Sequence, residues 1–479
     1  MNAALRELLA DLGYETSCVS RVRNLNDDIT DWVPLPAARA IQQMWSEPVD
    51  LEIRDNTSLI SFPPPRRGAH RNVLFLHAIL SPGQQWFGND AIDRYWACSD
   101  YLRQVIVSFL SLPDWTRGRL FDPRAFSIVG SVTLPLPHLE MPGTLIESAN
   151  GTGELPAPAV AALAGQDVLG YCVSTKIDQR ATYSILLALN QMALESGIGR
   201  RFRLFVENYL YDDLRRWLQD RPPAEMPPEF APLRLYLARL GLTIDDLLIP
   251  LPLLAQPALF EILRACRFSL QYHWLPEGFG LLPLEAVCHG CPVYTNGAGN
   301  LRYLLPAGCG INVFETEAMV FGDAAAYLAV AQRIFQDTVV DPEPARAACR
   351  RGAEHIAATY TREAMRRDLG ARLAELDEPP SEHDLDAARI VLNPMVRAWN
   401  PETRRVISDW RSVELSPDQA ALLQEILGQR CGELECRRDP AAMTVVDGFL
   451  DRGIIAVFPA EALPAASAPA SLAGERHGG

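Results

Sequence analysis

Leu5, Leu8, Leu9 and Leu12 recur three and four residues apart, the stripe of an amphipathic helix, and Gly13 follows where such a helix would stop. A strand-like run at 14–20 comes next, and β-rich runs follow at 59–62, 73–77, 95–98 and 126–129, with a helical piece at 101–110. Residues 130–166 turn rich in Pro, Gly, Ala and Ser and read as a junction. A second series then starts with an apolar run at 168–173, a polar loop at 174–180, and a helix that carries Ile185, Leu186, Leu189 and Met192 on one side. Strands at 202–206, 268–272 and 292–295 and helices at 257–266, 283–288 and 318–335 continue it. Residues 344–376 are helical by composition and end at Pro379 and Pro380. The pattern then shortens to β-like pieces at 388–392, 395–399 and 406–410, a helix opened by Ser416, Pro417, Asp418 and Gln419, a helix at 441–450 and a strand at 454–458.

This pattern predicts an α/β chain with two Rossmann-like domains. The expected division is 1–165, 166–343, a pair of closing helices at 344–380, a small α+β unit resembling a winged helix at 384–459, and a tail at 460–479 too poor in apolar residues to bury anything. Length and composition agree with that division: 479 residues, 48% apolar and 22% charged, suit a globular chain of about three domains. A net charge of -15 disfavours general nucleic-acid binding, because it repels a polyphosphate backbone. The most apolar stretch, 247–263, is broken by Pro250, Pro252 and Pro257 and carries Glu261, so no transmembrane segment is expected. Arg6, Glu7 and Asp11 spoil a secretory signal, which leaves a cytoplasmic location as the expectation, with peripheral membrane contact left open. The ten cysteines are scattered, mostly in apolar runs. Cys288 and Cys291 with His289 between them have redox or half-zinc spacing, yet no second ligand pair accompanies them, so packing is the expected role and no metal is expected.

Chemistry concentrates in 272–293. A strand ends, Glu277, Gly278, Phe279 and Gly280 form a turn, and a helix begins near Pro283 with Glu285 in its first turn. Glycines at 278 and 280 let backbone N–H groups approach a ligand, and a helix N-terminus adds positive potential suited to phosphate. Glu277 and Glu285, eight apart across the turn, each offer two acceptors to sugar hydroxyls.

This segment resembles the GT-B retaining glycosyltransferases of the family 4 type, whose hallmark is two glutamates eight apart in the form E-G-F-G-x-x-x-x-E; Gly290, Pro292, Val293, Ala298 and Gly299 continue the likeness. The resemblance spans about residues 1–376 and implies two Rossmann-like domains facing across a cleft. It implies that Glu277 contacts a donor sugar, that the backbone of Gly278, Phe279, Gly280 and Leu281 meets sugar and phosphate, and that Glu285 binds ribose. It also implies that Lys176 and Arg180, after the first strand of the second domain, neutralise the leaving diphosphate, and that His77 contacts the sugar from the first domain. Tyr95 to Ser99 resembles the family's strand and the Ser before its next helix. The chain departs from the family by starting at a helix, without the first strand and Gly-rich loop, by His273 and Trp274 in place of Pro-Ser, and by Arg302 in place of a Glu.

Residues 384–459 resemble the PqqD-like winged-helix domains that bind leader peptides of ribosomally made, modified peptides, which implies a peptide partner taken by strand addition. A DNA-reading winged helix competes, but Arg404, Arg405, Arg437 and Arg438 among acidic residues make only a modest basic footprint. A purely structural appendage is the third reading. The expectation is therefore transfer of a hexose from a nucleotide diphosphate sugar with retention of configuration, without cofactor or metal, to an acceptor that the last domain could recruit as a peptide. A polysaccharide or glycolipid transferase, and a catalytically silent nucleotide-sugar or peptide-binding protein, stay open at this point.

Overall fold

A computed structural model of the chain describes residues 2–16, 19–20, 33–34, 49–55, 71–77, 92–136, 155–172, 176–216, 218, 230–252, 254, 256–314, 324–409 and 411–459. The expected strand at 59–62 and the tail at 460–479 lie outside them, as do residues 174 and 175 of the polar loop. The described residues divide between two compact units, Met1–Pro135 with Arg362–Gly479, and Leu136–Thr361.

The leucine stripe forms α1 (Asn2–Asp11), with Leu5, Leu8 and Leu9 buried. In the same unit β1 (Leu51–Asp55), β2 (Arg71–Leu76), β3 (Arg94–Ala97) and β4 (Val129–Ser131) form a parallel sheet in that order. The cores of the interior strands are apolar runs, as strands covered on both faces require. Ser99 caps α2 (Asp100–Leu110) by accepting from the Leu102 N–H. The expected strand at 126–129 is a helical turn, Ala125–Ile128, before β4. Asp122 accepts from both the Arg124 N–H and its guanidinium and folds that corner, while Phe126 packs edge-on against His383 and Phe458. Of the run at 14–20, only Val19–Ser20 is a strand among the described residues, paired in parallel with Val33–Pro34.

The second unit is built on six parallel strands: β5 (Val168–Tyr171), β6 (Phe202–Glu207), β7 (Leu248–Leu251), β8 (Phe268–Gln271), β9 (Val293–Thr295) and β10 (Ile311–Val313). Their spatial order is β7-β6-β5-β8-β9-β10, the order in which a Rossmann sheet reverses direction between its first and fourth strands. β7 is not among the strands expected from the sequence and carries Pro250; as an edge strand bonded, among the described residues, only to β6 it tolerates the missing donor. α3 (Gln179–Ser196) opens at Asp178, whose carboxylate accepts from the Ala181 N–H, and closes at Gly197 in the left-handed conformation. α4 (Leu281–Cys288) follows β8, and α5 (Ala324–Phe335) packs on α3. α6 (Glu343–Thr359) lies against α4.

After α7 (Arg362–Ala374) the chain returns to the first unit. β11 (Arg389–Leu392) pairs antiparallel with the last strand, and β12 (Val396–Asn400), β13 (Arg405–Ser408) and β14 (Ser412–Glu414) form an antiparallel sheet. α8 (Pro417–Ile426) begins with the capping box of Ser416 and Gln419, and α9 (Pro440–Asp451) leads into β15 (Ile455–Phe458). The core of this segment includes Leu120, with Trp115 and Phe126 packed on it, so residues 385–457 share apolar surface with the stretch at 115–126 of the same unit. Among the described residues no helix is long and apolar enough to cross a membrane.

Candidate active site

In an open parallel sheet the crevice for a ligand opens where the strand order reverses, outside the carboxyl ends of the two flanking strands. Here those strands are β5 and β8. The segments that leave them zip together: the Asp178 N–H donates to the Tyr272 carbonyl at 2.6 Å, the Trp274 N–H to the Lys176 carbonyl at 2.9 Å, and Ile177 and His273 form an antiparallel bridge. That ladder carries Lys176 to Glu277, where its Nζ sits 3.0 Å from Oε2. Both side chains are about a quarter exposed or less, so the pair is partly shielded from water yet open to a ligand.

Glu277 is held at every polar atom. Its N–H donates to the Ala298 carbonyl at 3.3 Å, its carbonyl accepts from the Asn300 N–H at 2.8 Å, and its Oε1 accepts from the Gly278 N–H at 3.1 Å. Pairing of Glu277 with Gly299 brings the two chains so close that a Cβ on Gly299 would stand 2.4 Å from both the N and O of Glu277. Gly299 has φ +66°, so glycine is required there twice over. The expected ligand-facing amide of Gly278 is thus engaged by its neighbour's carboxylate.

The turn then enters α4 through Gly280 at φ +104°, where a Cβ would meet Leu304 at 2.7 Å. The helix starts at Leu281, two residues before the expected Pro283, because a proline in the first turn lacks only an N–H that has no partner there. Leu281 is exposed, while Phe279 is buried edge-on against Tyr360 and its carbonyl accepts from the Asn300 amide at 2.7 Å. Glu285 is buried on α4; burial, followed by the Cys266, Glu285 and Glu207 side chains, pushes the Tyr171 hydroxyl at the end of β5 well above its ordinary value. Glu285 sits on the helix that follows β8 and packs against β8 and β9.

The other expected residues are placed differently. Arg180 is exposed on the first turn of α3 and makes no ion pair among the described residues. His77 belongs to the other unit, directly after β2, with its ring 4.6 Å from that of Phe75 and its carbonyl accepting from the Cys98 thiol at 3.8 Å. Arg302 donates to the Gly297 carbonyl at 3.0 Å and lies over the Tyr303 ring, bracing its own loop. Cys288 and Cys291 are buried free thiols; burial pushes Cys288 up to about 12 and Cys291 well above the ordinary range, which suits packing and not thiolate chemistry. No group of three His, Cys, Asp or Glu among the described residues is placed to hold a metal ion.

Sequence reasoning missed Ser269 and Gln271 and noted His273 only as a departure from the family pattern; the three occupy alternate positions along β8 and just past it and are all buried. The signal was available: three polar residues on one face of an otherwise apolar central strand.

No protein-family model matches the chain, and a comparison with curated proteins finds no relative. Among solved structures, the chain is similar to a glycosyltransferase from Rickettsia africae ESF-5 at 11% identity, with a TM-score of 0.50 over 79% of this chain and 94% of that one. It is also similar to an α,α-trehalose-phosphate synthase (UDP-forming) from Burkholderia vietnamiensis at 14% identity, TM-score 0.49, over 71% and 77%. A third is Anabaena HepE in complex with UDP and glucose, at 16% identity, TM-score 0.47, over 71% and 81%. The fold of this chain is accordingly mixed α/β of the GT-B type, as expected from its sequence.

Proposed function

We propose that this chain is a glycosyltransferase that takes its sugar from a nucleoside diphosphate sugar held by the Leu136–Thr361 unit. The observation that carries this reading is the Lys176–Glu277 pair at the point where the parallel sheet reverses, with Glu285 buried on α4, the helix that follows β8. The shared fold with a solved glycosyltransferase supports it. In this reading Glu277 accepts hydrogen bonds from sugar hydroxyls and Glu285 from the ribose diol, each carboxylate making charge-assisted bonds. The Lys176 ammonium and the N-terminal end of α4 stabilise charge that develops on the departing diphosphate. Arg180, exposed on the first turn of α3, is a second cation for that phosphate. The sugar is a hexose and is transferred with retention, as in the family the motif resembles. The charge needed comes from these side chains, so neither metal nor cofactor enters the scheme.

The acceptor in this proposal is a peptide. What supports it is that β12 and β14 each pair only with β13, which leaves each an outer edge in the described sheet, and an extended chain can add to such an edge. The test is donor turnover by the purified full chain. Glu277→Ala should lower transfer by roughly 10²- to 10³-fold, the usual loss for one group serving the transition state. Unchanged turnover in that variant would refute the assignment.

A further inference from the structure

Along β8 the polar side chains form a chain of bonds. The Gln271 amide donates to Ser269 Oγ at 2.9 Å, its Oε1 lies 3.0 Å from His273 Nε2, and His273 Nδ1 lies 3.9 Å from Glu277 Oε2. Asn296 fixes the His273 backbone from both sides, accepting from its N–H at 3.2 Å and donating to its carbonyl at 2.8 Å. Ser269, Gln271 and His273 are each at most 3% exposed. Burying three polar side chains in the central strand costs stability that apolar residues would not, so their placement calls for a role.

The proposed function creates a difficulty that this chain of bonds solves. Lys176 holds Glu277 Oε2 directly, and must also serve the diphosphate. When its ammonium turns to phosphate, Oε2 of a partly buried carboxylate loses its charged partner, which is costly. His273 Nδ1 stands on the same oxygen, about 1 Å beyond hydrogen-bond distance. A small turn of the carboxylate closes that gap. A neutral imidazole suffices, because the Gln271 amide serves either tautomer: its Oε1 accepts from Nε2–H, or, turned over, its NH₂ donates to a bare Nε2 while Ser269 Oγ–H donates to Oε1. In the second arrangement the imidazole hydrogen sits on Nδ1, facing Glu277, with every polar atom of the relay still bonded.

We propose that His273 is a positioning residue that takes over the Glu277 carboxylate from Lys176 when the ammonium engages the diphosphate, with Ser269 and Gln271 setting its tautomer. This rests on the proposed glycosyltransferase reading. The position of each nitrogen supplies the test. An asparagine amide can place a donor where Nδ1 stands, whereas a glutamine amide reaches the Nε2 position, toward Gln271 and away from Glu277. His273→Asn should keep kcat within about 3-fold of the wild type, and His273→Gln should lower kcat by at least ~30-fold with KM for UDP-glucose or GDP-mannose little changed, the pattern of an interaction needed beyond ground-state binding. A merely structural role predicts the reverse ranking, or equal losses that follow thermal stability. Equal kcat values for the two variants, with the wild type active, overturn the relay alone. A wild type that turns over no nucleoside diphosphate sugar removes the functional reading and this one with it.

Discussion

Replacing Gly299 by alanine tests how the site is held, and a control within the same unit isolates the cause. Gly299 has φ +66°, and a Cβ there would sit 2.4 Å from the backbone N and O of Glu277 and 2.9 Å from the Pro276 carbonyl carbon. Gly241, which ends the helix Ala231–Leu240, has nearly the same φ, +64°, but its Cβ would meet nothing within 4 Å. Both substitutions carry the left-handed penalty of about 1–2 kcal/mol. Only Gly299→Ala must also push the two paired backbone segments apart, with the loss of the bonds from the Glu277 N–H to Ala298 and from the Asn300 N–H to Glu277. Those bonds and the overlap bring its cost to roughly 4–6 kcal/mol, against about 1–2 for Gly241→Ala. At ~2–4 °C per kcal/mol for a unit of this size, the two variants should differ in Tm by at least about 4 °C in the transition of the Leu136–Thr361 unit. Calorimetric melts of the full chain measure this. Because Glu277 is displaced with the strand, Gly299→Ala should also weaken nucleotide-sugar binding while Gly241→Ala leaves it intact. Equal melting shifts for the two variants would refute the close approach of Gly299 to Glu277.

Further outcomes follow from other regions of the molecule. Glu285→Ala should weaken nucleoside diphosphate binding by roughly 10- to 100-fold, the loss of about 1.5–3 kcal/mol expected for hydrogen bonds to a charged group, measured by titration calorimetry; an unchanged Kd takes Glu285 out of the site. Asp409, whose carboxylate accepts from the Tyr101 hydroxyl at 2.6 Å and from Arg397 at 2.8 Å, ties α2 to β12 with its side chain fully buried. Asp409→Ala removes the carboxylate that pairs with the buried Arg397 guanidinium and should cost the first unit about 3–5 kcal/mol, read from denaturant melts. Burial raises the Glu207 carboxyl above its ordinary value, against the opposing bond from Tyr209. The folded state therefore holds that proton more tightly, and this contribution to stability is lost as pH rises through the raised value. Glu207→Gln should match the wild type in acid and exceed it in Tm at neutral pH, and a difference of constant size across pH would contradict this.

Elements with strong periodicity were legible in the sequence. The stripe of Leu5, Leu8 and Leu9, the apolar runs of β5, β6 and β8, and the Ser416 capping box are each where spacing puts them, because burial and capping act locally. The turn at Glu277 was legible for the same reason: glycines at 278 and 280 mark a bend that few other residues permit. What depended on long-range pairing was not. β7 is a strand despite Pro250 because it lies at an edge, and the helical turn at Ala125–Ile128 depends on Asp122 and on Phe458, far along the chain. The Lys176–Glu277 pair spans 101 positions and is set by the ladder between Ile177 and His273, which no local pattern encodes. Arg180 shared the motif of Lys176 yet points to solvent, since it falls on the first turn of α3 and not in the ladder.

The central claim is that the crevice beside β5 and β8 holds a nucleoside diphosphate sugar, and titration calorimetry with UDP-glucose and GDP-mannose tests it most directly. One of these ligands should bind the wild-type chain at one site, with affinity reduced at least ~10-fold by Lys176→Met and by Glu285→Ala, while His77→Ala, in the other unit, leaves binding of the bare nucleoside diphosphate unchanged. Binding that ignores both Lys176→Met and Glu285→Ala, or no binding of either ligand to the wild type, would contradict the account.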